Sequence, residues 1–273
     1  MAGRGTWSGQ APPLHVRMGR VARQRVLRAT TNPFASGSDR VLLVHCGHHK
    51  AATGWFRQIL LEVIRHYGLR QQEGKGEPIL PGTDLAFYLN AGRFHRDQVG
   101  PRAFRGSHVI RDPRDLVVSG YEYHLVTDEA WVRRPNPRYG GAGYQEHLRS
   151  LDEDRGLLTE IEWFARETGA AMGAWDYRQP EFLELRYEDA MSDESGTFER
   201  LFGWYGFDDA AAAVGLEAVD RLSLRRGGAI PNHVRSGRPG EWQARLRPEH
   251  LERLAELTDD LVGRLGYGDA TNP

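Results

Sequence analysis

Lysine is almost missing from this chain: only Lys50 and Lys75 stand among its 36 lysine and arginine residues. A sequence that takes nearly all its positive charge as arginine, yet sets one lysine between an apolar run and an amphipathic stretch, has a use there for a compact, movable point charge. Cysteine is scarcer still. The single Cys46 excludes an internal disulfide and follows an apolar run, so its thiol reads as buried filler and the chain as a cytoplasmic protein. An excess of one charge is lacking too, with 36 basic residues against 37 acidic ones and a net charge of -1. That balance excludes binding to nucleic acid or a membrane surface through whole-molecule charge and leaves room only for a local basic patch. No run approaches the ~18 apolar residues of a membrane-spanning helix.

What is present is a hydrophobic fraction of 40%, enough for a substantial core. Residues 1–38 read as a basic arm, arginine-rich, free of acids and without the apolar block of a secretory signal. Its stretch from Val16 to Arg28 has helical character, so the arm is either solvated or applied to an anionic surface or a transit role. Residues 39–273 are expected to form one folded domain. "VLLVH", Val41 to His45, is an unbroken apolar run with β-branched residues, the signature of a strand covered on both faces of a parallel sheet. From Thr53, the residues Phe56, Ile59, Leu60, Val63, Ile64 and Tyr67 recur at helical spacing and Gly68 supplies the stop.

Further strands are predicted at Leu85–Asn90, Gly106–Ile110 and Glu181–Tyr187. With helices between them, the order predicts an α/β fold with a central parallel sheet flanked by helices. Thr127 to Gln145, rich in Pro, Gly and aromatics, reads as a long surface loop or lid carrying Trp131, Tyr139 and Tyr144. Trp163 and Phe164 read as core. Leu251, Leu254, Leu257, Leu261 and Leu265 read as one face of a single packing helix.

Three segments carry chemistry. In "CGHHKAATGW" a buried strand feeds a helix N-terminus, where free N–H groups and the macrodipole favour an anion. The small residues Ala51, Ala52, Thr53 and Gly54 permit close approach of a phosphate, and Lys50 and the Thr53 hydroxyl add contacts. It is not a Walker loop, because the lysine precedes the glycine. In "HVIRDPRDLVVS", Arg111 leaves a strand end, Asp112 fits the helix N-cap, Pro113 the first position and Asp115 the third. Ser119 lies about two turns along the same face and can share an anion with Arg111. "HVRSGRPGEWQ" is a basic loop punctuated by Gly and Pro. Each segment also has a plainer reading: an ordinary turn, an arginine that caps carbonyls or pairs with Asp115, and a solvated loop.

Together the segments resemble sulfotransferases that use 3'-phosphoadenosine 5'-phosphosulfate (PAPS). "HHKAATGW" resembles the family's 5'-phosphosulfate loop, "RDPRDLVVS" its 3'-phosphate strand and helix, and "RSGRPGEW" its C-terminal R-K-G-x-x-G-D-W; "LRYEDA" resembles a segment near the adenine. The resemblance implies a P-loop-like sulfotransferase fold, PAPS as donor and PAP as product, in-line transfer to a hydroxyl or amine of a small-molecule or carbohydrate acceptor, and no metal. It makes Lys50 the donor-loop lysine, with Ala52, Thr53 and Gly54 at the 5' end, Trp55 and Tyr187 at the base, and Arg111, Ser119, Arg235, Ser236 and Gly237 at the 3'-phosphate. Ala52 stands where the family has glycine, Gly54 where it has threonine and Ser236 where it has lysine, and Leu224 falls where many members have an aromatic. For the general base the resemblance points to His95, with His49, His124, an acid, or His108, which reads as strand interior, as alternatives. His45, His48 and His49 lack the further spaced ligands of a metal site. The competing readings are a P-loop small-molecule kinase and a catalytically inactive nucleotide- or anion-binding module. Neither the acceptor nor the oligomeric state is legible.

Overall fold

The computed structural model describes residues 33–34, 41–227 and 237–268. Its sheet has five strands: β1 (Leu42–Gly47), β2 (Gln71–Glu73), β3 (Leu85–Tyr88), β4 (Phe104–Ile110) and β5 (Phe182–Arg186). All pair in parallel, in the order β2-β3-β1-β4-β5. Every residue of β1 is buried, as its continuous apolar run requires at the centre of a covered sheet. The edge strand β2, "QQE", escapes sequence reading because it is polar and gives no period.

The helices among the described residues are α1 (Thr53–His66), α2 (Pro113–Val126), α3 (Tyr144–Arg149), α4 (Glu153–Phe164), α5 (Ala170–Ala174), α6 (Tyr187–Ser192), α7 (Glu194–Tyr205), α8 (Asp209–Arg221), α9 (Pro248–Thr258) and α10 (Leu261–Arg264). On one side of the sheet, α1, α7 and α8 pack through Phe56, Ile59, Phe198, Phe202 and Ala218. On the other, α2, α4 and α9 pack through Leu116, Val117, Leu157, Ile161 and Leu254. From β1 the chain builds β2 and β3 to one side and then crosses to β4 and β5 on the other. That reversal opens a crevice at the carboxyl ends of β1 and β4, the position where open α/β sheets take ligands.

Two expectations need correction. The single C-terminal helix is two, because Asp259 and Asp260 adopt left-handed backbone (φ 51° and 46°) and break it. The packed region begins before residue 39: Phe34 is buried against Phe207, and the Pro33 carbonyl accepts the Asp208 N–H at 2.8 Å. The Thr127–Gln145 segment is the largely exposed loop expected, with short turns at Ala130–Arg133 and Pro137–Tyr139, and it is anchored by buried Val132 and Tyr144 and by the Gln145 amide, which donates to the carbonyls of His124 and Thr127.

Candidate active site

The loop from β1 to α1 turns sharply enough to place two non-glycine residues in the left-handed region, Lys50 at φ 66° and Ala52 at φ 58°. Each costs about 1–2 kcal/mol relative to ordinary backbone, strain of the kind that accumulates where a site over-determines its geometry. Gly47 permits the turn, because a Cβ there would sit 2.2 Å from the Thr53 methyl. The Ala51 N–H closes the loop onto the His48 carbonyl at 3.0 Å, and the N–H groups of Trp55 and Phe56 both reach the Ala52 carbonyl. Among the described residues this leaves the N–H groups of Ala52, Thr53 and Gly54 without acceptors at the positive end of a 14-residue helix.

Two cations flank that helix end. The Lys50 ammonium stands 4.1 Å over the Tyr123 ring, and burial together with Arg111 draws it down to about 8. Arg111 follows β4 and is 5% exposed. One of its terminal nitrogens donates to the Lys50 carbonyl at 3.3 Å, the other lies 3.7 Å from Asp115, and the guanidinium covers the Tyr187 ring at 4.5 Å. Its Nε is buried with no partner among the described residues. A guanidinium has five donors, so this one is buried and mostly unspent, beside a second cation that has no carboxylate within 4 Å among the described residues. Such a pair repels itself in a low-dielectric crevice until an anion enters.

The second segment folds locally as its sequence dictates. Asp112 caps α2 by accepting the Arg114 N–H at 2.9 Å, and Pro113 opens the helix. Asp115 does more than favour the helix pole: it accepts the N–H groups of Gly240 at 2.7 Å and Trp242 at 3.0 Å, tying the third segment to the second. The Arg114 guanidinium pairs with Asp112 and covers the Trp242 ring at 3.8 Å. The Tyr187 hydroxyl donates to the Gly237 carbonyl, and burial raises it to about 12. The structure thus gathers Lys50, Arg111, Tyr187 and Gly237. Arg235 and Ser236 lie outside the described residues, as does all of the arm except Pro33 and Phe34.

The hydroxyl of Ser119, a half-buried residue of α2, has no hydrogen-bond partner among the described residues. Trp55 is 2% exposed, meets Phe56 and Phe198 edge-on, and donates its indole N–H to the Leu222 carbonyl at 2.9 Å. Leu224 belongs to the same cluster.

The histidines divide into separate groups. His95 is exposed. Its neighbour Phe94 packs on Phe104 and Phe182, the first residues of β4 and β5, and Arg96 covers the Phe104 ring. Those are the amino ends of strands whose carboxyl ends carry the site, so the structure does not bring His95 to Lys50, and the base assigned there is corrected. His45 bonds Ser107 at 2.8 Å, on the α1 side of the sheet. His108 has both ring nitrogens engaged, one with His48 at 2.8 Å and one with Glu184 at 2.6 Å; burial holds it down to about 3, the strand-interior role expected of it. His49 stacks parallel on His124 with ring centres 5.3 Å apart, and His124 bonds Glu160 at 2.9 Å. Trp163, expected in the core, is half-buried and packs edge-on against these two rings.

No protein-family model matches the chain, and no curated protein matches it. Solved structures do. Mouse sulfotransferase SULT7A1 complexed with PAP is 16% identical, the match covering 83% of this chain and 86% of that chain with a TM-score of 0.53. Retinol dehydratase in complex with androsterone and inactive cofactor PAP is 13% identical over 87% and 85% of the two chains, with a TM-score of 0.45. The same enzyme with retinol and PAP gives 14%, 91% and 88%, with a TM-score of 0.43. From the first of these likenesses, the five-stranded parallel sheet and its flanking helices have the sulfotransferase fold.

Proposed function

We propose that this chain is a sulfotransferase that moves a sulfuryl group from PAPS to the hydroxyl of a small molecule. The observation that carries the reading is the pair Lys50 and Arg111: two cations from the ends of adjacent strands, one with a buried unpartnered Nε, beside three unbonded helix N–H groups. A ligand with two separated anionic groups suits this arrangement. The 5' end of the donor would lie on Lys50, Ala52, Thr53 and Gly54, where N–H donors and an ammonium face it. The 3'-phosphate would take the Arg111 fork, Ser119 and the segment Arg235, Ser236, Gly237. Trp55, Tyr187 and Leu224 would border the base.

In an in-line transfer, negative charge grows on the oxygen bridging sulfur and phosphorus and on the sulfuryl oxygens, so fixed donors aimed there lower the barrier without a proton relay. Lys50 supplies a point charge on a strained, short loop that cannot retreat from it. The SULT7A1 structure was obtained with PAP, which supports the same donor here.

The test is turnover with PAPS and a simple phenol in the presence of EDTA, alongside ATP with magnesium. The expected result is sulfuryl transfer that EDTA leaves intact and no phosphoryl transfer. Phosphoryl transfer from ATP without any from PAPS would place the chain among small-molecule kinases instead.

A further inference from the structure

We propose that His124 takes the acceptor's proton at Nε2, with Glu160 as its positioning carboxylate; the assignment rests on the sulfuryl-transfer reading above. His124 follows Tyr123, whose ring carries the Lys50 ammonium, and stacks on His49, which precedes Lys50. It is therefore one ring removed from the catalytic lysine. Its Nδ1 lies 2.9 Å from a Glu160 oxygen, both side chains being at most 1% exposed. Glu160 accepts from the Tyr144 hydroxyl at this oxygen, and the His124 tautomer that serves as a base donates from Nδ1 to it and presents a lone pair at Nε2. That Nε2 is buried and has no partner among the described residues.

The surroundings are built to hold this dyad. The Tyr144 hydroxyl donates to the same Glu160 oxygen at 2.7 Å. A Cβ on Gly120, one turn before His124, would stand 2.4 Å from the other Glu160 oxygen. Glycine at that point leaves room for the carboxylate to cross from α4 to α2. Trp131, Tyr144 and Trp163 meet the imidazole edge-on at 4.6–5.4 Å, so its surroundings other than Glu160 and His49 are aromatic.

His108, in the strand interior, has both ring nitrogens engaged, whereas His124, like His45 and His48, keeps one without a partner among the described residues; what sets His124 apart is its place against His49 and Tyr123, the neighbours of Lys50. An orphaned buried polar atom costs about 1–3 kcal/mol, and this site holds two, because His49 Nε2 is orphaned as well. His49 itself stays neutral, lowered to about 3 by burial, His124 and Lys50. Two bare nitrogens on parallel rings beside the Lys50 loop await a polar atom that the described residues do not supply. The acceptor hydroxyl fits. Its oxygen attacks sulfur while its proton passes to His124 Nε2, and the bond from sulfur to the bridging oxygen breaks. The electron pair leaves on the 5'-phosphate of PAP, facing Lys50, and the imidazolium is countered by Glu160.

The test compares His124→Gln and Glu160→Gln with the native enzyme on two phenols at saturating PAPS, one protonated and one fully ionised at the assay pH. For His124→Gln the expected kcat loss is about 100-fold or more on the protonated phenol, with near-native turnover of the ionised one and unchanged PAP affinity by calorimetry. Glu160→Gln should show the same pattern with a smaller loss, and it carries the comparison if His124→Gln does not fold. Equal losses on the two phenols, or none on either, overturn the assignment alone. Failure of the native enzyme to sulfonate either phenol overturns the transferase reading and this assignment with it.

Discussion

Lys50 is a charge held at a cost. Burial first, and then Arg111, bring its folded value to about 8 from 10.5. The unfolded chain therefore binds this proton more tightly than the folded one, and the penalty is fully present below about pH 8. It is lost as pH rises from there through the unfolded value. Lys50→Met should accordingly raise the stability of the unliganded protein at neutral pH, on the order of 2 kcal/mol, with the gain shrinking above pH 8. The same substitution should remove sulfuryl transfer far more than PAP affinity, because the ammonium acts on charge that develops in the transition state. Thermal melts at two pH values, paired with calorimetry and turnover, check this; a variant less stable than native at neutral pH contradicts it. The residue itself was legible in the sequence because lysine is so rare there. Its left-handed backbone was not, since nothing in "HHKAATGW" states a dihedral angle, although Ala52 standing where glycine is usual marks the strained position.

At the scale of elements, the unexpected contact is Asp115 with Gly240 and Trp242. It makes the start of α2 the anchor of the third segment, so the two halves of the proposed 3'-phosphate site are joined by one buried carboxylate. Asp115→Ala leaves one buried and one half-buried N–H group without an acceptor and should cost about 2–4 kcal/mol of stability in urea unfolding. PAP affinity should fall with it. Asp115→Asn, which keeps one acceptor oxygen, should lose less of both; equal stability of all three proteins would show that the contact holds nothing. Asp112 and Pro113 could be read because capping is local, decided within three residues. The partners of Asp115 lie 125 residues on, and Glu160 lies 36 residues from His124, separations over which a single sequence carries no pattern. The four longer strands were legible from apolar runs. The break between α9 and α10 was not, because the leucine spacing runs unaltered across Asp259 and Asp260.

At the scale of the whole molecule, the sheet divides the labour. The α1, α7 and α8 side is an aromatic core that includes Trp55 and supports one wall of the crevice. The α2 and α4 side brings His49, His124, Trp131 and Trp163 beside Lys50. The crevice between them exists because the strand order reverses at β1, and the order of elements alone foretold a parallel sheet but not that reversal. His95 shows the limit: position in the chain between two motifs placed it near the site, whereas the return from β3 to β4 carries it toward the opposite end of the sheet.

The central claim is that Arg111 awaits a phosphate, and the affinity ratio of PAP to adenosine 5'-phosphate tests it most directly, measured by calorimetry on the native protein and on Arg111→Ala. The native protein should prefer PAP strongly, and the substitution should cut that preference by at least about tenfold while affinity for adenosine 5'-phosphate changes little. A preference that survives the loss of Arg111 unchanged would contradict the account.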